Sequence, residues 1–145
     1  MSTATAIATG ADSRRLLRSS AAIVIGFLSV AVLSLATDQV LHVLDVYPPW
    51  GEPMYAPGLN ALALSYRILY TILGGYITAL LALRRPMRHV MVVGVLGLVT
   101  GTAGAIAAIS IGGFGPHWYP IALALTGFPC VWLGGVIYVG RQSGR

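Results

Sequence analysis

Asp38 and His42 stand four residues apart, a spacing that puts a carboxylate and an imidazole on one helical face, one turn from each other. A carboxylate next to an imidazole is a common pairing for moving protons near neutral pH. Arg67, in a later apolar stretch, supplies the opposite charge. Together the three suit a proton relay or the capture of an anionic headgroup, and charge inside a membrane is a functional-site hypothesis by default. They also suit a plainer role, in which an Asp38–Arg67 ion pair sets the register of two helices and His42 and Asp45 are wet at the surface.

Depth separates these roles. If the first helix enters hydrocarbon at Ala21, Asp38 lies about 26 Å along it, some 4 Å short of the far boundary of a bilayer core about 30 Å thick. Arg67, on a second helix entering near Ala61, is about 9 Å below that same boundary, within reach of a snorkelling side chain. An ionised Asp or Arg at the bilayer centre costs about 2.5–3.5 kcal/mol on insertion scales, and pairing is the usual remedy. The expectation is therefore an Asp38–Arg67 pair between antiparallel neighbours, acting on register before chemistry.

The elements that hold these residues follow from composition. Of 145 residues, 57% are hydrophobic and 9% charged, where a soluble domain carries about 25% charged residues. With a mean hydropathy of +0.81, the main solvent is a bilayer. Four apolar stretches, residues 20–44, 61–83, 90–111 and 121–139, each approach or exceed the roughly 20 residues a spanning helix needs. They are too long and continuous for barrel strands. The fold expected is all-α, a polytopic membrane protein with four transmembrane helices in an up-down bundle forming a single domain. A tail over residues 1–19 and outer loops at 45–60 and 112–120 leave no room for a soluble catalytic domain.

Orientation comes from arginine, since every cationic residue is Arg and none is Lys. Arg14, Arg15 and Arg18, then Arg84, Arg85 and Arg88, then Arg141 and Arg145 all fall on one side of a four-span chain. By the positive-inside rule that side is the cytoplasm, with both termini inside. The net charge of +5 thus reports topology, and no nucleic acid is expected. Asp45 and Glu52, with Tyr47-Pro48-Pro49-Trp50 and His117-Trp118-Tyr119-Pro120, mark the opposite side, where aromatic rings favour the headgroup level. Ser13-Arg14-Arg15 before an apolar run and Ser34-Leu35-Ala36 after it also fit a cleaved signal leaving three spans, but apolar character resumes at Val40, as in a full span.

Small residues mark contact faces. On the third stretch Gly94, Gly97, Gly101 and Gly104 recur at intervals of three or four, and Gly97 with Gly101 forms a small-xxx-small pair expected to pack within the bundle or against a second copy. Leu73-Gly74-Gly75 is echoed by Leu133-Gly134-Gly135, as two hairpins related by an axis along the membrane normal would produce. Gly127, Pro129 and Gly134 suggest a kink in the fourth helix.

The strings Y-P-P-W-G-E-P-M, G-G-Y-I-T-A, R-R-P-M-R-H, G-P-H-W-Y-P and W-L-G-G, in this order over residues 38–135, resemble a group of small, uncharacterised four-span bacterial inner-membrane proteins. The resemblance implies the architecture and an inner-membrane location and carries no functional residue with it.

Absent motifs narrow the function. Without G-x-x-x-x-G-K-[ST], H-E-x-x-H, G-x-S-x-G or C-x-x-C, nucleotide hydrolysis, zinc proteolysis, hydrolase-type acyl transfer and thiol redox lack their residues. His42, Asp45, Glu52 and His117 are scattered over two loops, a spacing that does not read as a metal site, so no catalytic residue, metal or cofactor is assigned. The reading is a non-enzymatic, multi-pass accessory or structural component whose surroundings are the lipid bilayer and a second copy or a larger membrane complex. The alternative is an oligomeric small transporter or channel using the Asp38, His42 and Arg67 cluster.

Overall fold

The computed structural model describes residues 2–82, 84–112 and 115–144, with the backbone alone over residues 2–16. Leu83, Gly113, Phe114, Arg145 and the side chains of Arg14 and Arg15 lie outside the described residues, and with them the expectations they carry.

Among the described residues the chain is all helix: α1 (Ser2–Val43), α2 (Pro57–Leu81), α3 (Pro86–Ile111) and α4 (Trp118–Ser143), with no strand. Each holds a stretch long and apolar enough to cross a membrane, Leu17–Val43 in α1 and the whole of the other three. The protein is a four-helix bundle. Large apolar side chains such as Leu35, Leu69, Val99 and Leu125 stand exposed around it, as they do when the solvent is hydrocarbon.

The helices start earlier than the apolar stretches. α2 and α3 begin at Pro57 and Pro86 rather than near 61 and 90, because proline suits the first helical turn, where its missing N–H has no partner to lose. α1 continues back through the expected tail to Ser2, over an Ala-rich run without proline. α4 extends past 121–139 at both ends and runs unbroken through Pro129.

The helices form a ring in the order α1, α2, α4, α3. Its tightest point is α2 against α4. A Cβ on Gly75 would stand 2.1 Å from the Val131 carbonyl oxygen, and one on Gly134 would stand 1.9 Å from that of Ile72. Backbones touch there because neither glycine has a side chain. Gly74 faces Gly26 and Val30 of α1, and Gly135 faces Val90 and Met87 of α3. So the first glycine of one pair, but the second of the other, faces its own hairpin partner. A rotation about the membrane normal would preserve that order, so the two pairs are contact points and not equivalent positions of a repeat.

Buried Ala79, Val90, Val93 and Val131 make one core cluster toward the end where Arg18, Arg84, Arg85, Arg88 and Arg141 stand exposed. Tyr47, Ala63 and Tyr66 make a second at the opposite, Pro-aromatic end. There Gly115, at φ 150°, passes so close to Met54 that a Cβ would lie 2.7 Å from its carbonyl oxygen, pinning the α3–α4 loop to the α1–α2 loop.

Candidate functional site

The second core cluster positions the polar residues. Ala63, Gly74 and Thr78 of α2 are buried, whereas Leu69 and Leu73 of the same helix are exposed, so the small and polar stripe carrying Arg67 faces protein. Asp38 of α1 is buried opposite it. Arg67 Nη2 donates to Asp38 Oδ2 at 2.5 Å, and the Tyr66 hydroxyl donates to Asp38 Oδ1. Both oxygens of the only buried carboxylate among the described residues are thereby engaged from α2.

A chain of hydroxyls extends the pair. Tyr66 has one proton, which goes to Asp38, so any donation across the 3.4 Å contact between their hydroxyls comes from Tyr47, whose single proton the Leu59 carbonyl oxygen also shares. Tyr47 also lies 3.5 Å from the Leu59 carbonyl oxygen. Beside them, the Thr37 hydroxyl donates to the Leu33 carbonyl at 2.9 Å, which leaves Tyr70, one turn along α2 from Tyr66, to donate to Thr37, also at 2.9 Å. The Arg67 guanidinium carbon is 5.7 Å from the Tyr66 ring centroid and 5.8 Å from that of Tyr119, both within cation–π range. Tyr47 belongs to the loop outside the spans, and burial pushes its phenol above the ordinary value, keeping it a neutral donor at physiological pH.

Of the residues singled out in the sequence, Asp38 and Arg67 come together and His42 does not join them. The His42 ring instead stacks on Trp50 with centroids 4.0 Å apart and meets the edge of Tyr47 at 5.5 Å. Its Nδ1 is buried without a hydrogen-bond partner. Trp50 Nε1 donates to Gln39 Oε1 at 3.2 Å, fixing the loop back onto α1. Among the described residues no three His, Cys, Asp or Glu side chains gather to hold a metal ion.

Of the two contacts expected of Gly97 and Gly101, within the bundle or against a second copy, the first is not formed in this chain. A Cβ on Gly97 would meet nothing within 4 Å, and one on Gly101 would meet only Ala124, at an ordinary 3.5 Å. Both line a half-open cavity of about 590 Å³ between α1, α3 and α4, with Arg67 and Thr71 of α2 at its side. Within this chain the close helix approaches are made by Gly26, Gly74, Gly75 and Gly134.

Tyr66, Tyr47, Tyr70 and Thr37 are site residues that charge and spacing did not flag. Tyr66 carried one available signal, its position next to Arg67 on a helix whose stripe must face α1. No family model, no curated protein and no solved structure matches the chain.

Proposed function

We propose that this multi-pass membrane protein acts by binding and not by catalysis, as an accessory or structural component of a bacterial inner membrane, with both termini cytoplasmic. One observation carries the reading: the Asp38 carboxylate is held at one oxygen by Arg67 and at the other by Tyr66, and His42 is turned away to Trp50. A carboxylate committed twice to the neighbouring helix joins α1 to α2 and is a poor proton carrier. The exposed arginines gathered at one end of the bundle support the orientation. In mild detergent the native protein is expected in a particle heavier than one chain, with a second copy or another membrane protein retained. A particle holding a single chain contradicts the accessory role.

The cavity beside Arg67 favours a second reading, an oligomeric small transporter. Solute flux through vesicles containing the purified protein, lost on Arg67→Ala, would establish it in place of the first.

A further inference from the structure

Glycine inside a helix is unfavourable relative to alanine, and close backbone approach is the usual reason for keeping it in a membrane. That reason holds at Gly75 and Gly134 and fails at Gly97 and Gly104 of α3 and Gly127 of α4, where an added Cβ would find open space. All three, with Gly101, border the 590 Å³ cavity. What they create is room.

The room is asymmetric. Its α3 wall runs from Val93 to Ile109, about 24 Å at 1.5 Å per residue, which exceeds the roughly 15 Å of one leaflet's hydrocarbon. Toward the arginine end the wall is apolar, with Phe27, Val30 and Val131. Ser34, Thr71 and Thr100 add hydroxyls around mid-wall, and the charged and aromatic polar residues Arg67, His117 and Tyr119 border the space at the Pro-aromatic end. Arg67 gives Asp38 one of its five N–H donors. Such a volume lies in the range of about 300–1,000 Å³ typical of small-molecule sites. Thr100 and Gly104 are exposed on the flank of α3, which opens the cavity sideways to the bilayer.

We infer that this cavity binds one hydrocarbon chain of a membrane lipid, its tail against Phe27 and Val131 and its headgroup accepting hydrogen bonds at Arg67. The inference stands apart from the accessory role, since a bound lipid chain serves a lone protein as well as one in a complex.

Palmitoyl lysophosphatidylglycerol titrated into delipidated protein, followed by native mass spectrometry, tests it. The wild type is expected to take up one molecule per chain. Gly97→Leu and Gly104→Leu fill the cavity from α3, and each is expected to keep the wild-type melting temperature while weakening binding by about tenfold or more. Gly140→Leu, at an open position away from the cavity, serves as the control and leaves binding unchanged. The inference is overturned if the wild type takes up no lysolipid, or if both cavity variants bind as the wild type does. It is equally overturned if these variants fail to fold or turn a dimer into monomers, because the space would then belong to protein packing.

Discussion

Arg67 of α2 and Asp38 of α1 face each other across the helix interface at 2.5 Å, with the Tyr66 hydroxyl on the other oxygen of the same carboxylate. This places an anion, a cation and a phenol within a single turn of two antiparallel helices. In a low-dielectric setting each becomes a liability when its partner is removed, because a lone buried charge is far more costly than a paired one.

Removal of either partner tests that liability. Asp38→Ala and Arg67→Ala are each expected to destabilise the protein by about 3 kcal/mol. Tyr66→Phe, which keeps the ring and deletes one hydrogen bond to a charged group, is expected to cost about 2 kcal/mol. Thermal unfolding in detergent ranks the three. A Tyr66→Phe protein less stable than Asp38→Ala would show that the phenol is held by something other than the carboxylate.

The α2–α4 contact gives a sharper steric expectation. Because Gly75 and Gly134 face backbone carbonyl oxygens and not yielding side chains, even Gly75→Ala or Gly134→Ala must push the helices apart. A loss of about 3 kcal/mol is expected for each. Gly127→Ala, whose Cβ enters open space, should be neutral or slightly stabilising. Equal melting temperatures for Gly75→Ala and Gly127→Ala would contradict the packing described.

Much of this was legible in the sequence, and the boundary of legibility has physical causes. Hydrophobic length revealed four helices, and depth along two of them put Asp38 opposite Arg67, since both quantities depend only on rise per residue. Tyr66 and Tyr47 escaped because a phenol near an interface reads as a headgroup anchor until its partner is located in space. The glycines escaped for a related reason. Small-residue spacing says that a face is smooth and leaves open whether backbone, as at Gly75, or space, as at Gly97, lies beyond it. The Gly74-Gly75 and Gly134-Gly135 echo raised the question of a repeat, whereas in the fold it marks the points where α2 and α4 meet their neighbours.

Tyr47 sets an alkaline limit. Burial raises its phenol in the folded protein, so the unfolded chain, with a value near about 10, ionises first. The resulting stability is complete below that ordinary value and is lost as pH climbs toward the folded one. Above about pH 10 the wild type is expected to lose melting temperature more steeply than Tyr47→Phe. Parallel curves for the two would contradict it.

Topology is tested by reporters. A reporter active only in the cytoplasm is expected to work after Arg88 and after Arg145, and one active only outside after Pro57 and after Gly115. A cytoplasmic signal after Pro57 would reverse the orientation proposed.

The central claim is that Asp38 and Arg67 work as one unit joining α1 to α2, and a double-mutant cycle measures it directly. Unfolding free energies of the wild type, Asp38→Ala, Arg67→Ala and the double variant yield the coupling between the two side chains. A coupling of about 2 kcal/mol is expected, with the double variant little worse than either single one, because the second change removes the charge that the first left without a partner. Additive losses, with a double variant as damaged as the sum of the two, would mean that the residues act independently and would contradict the account.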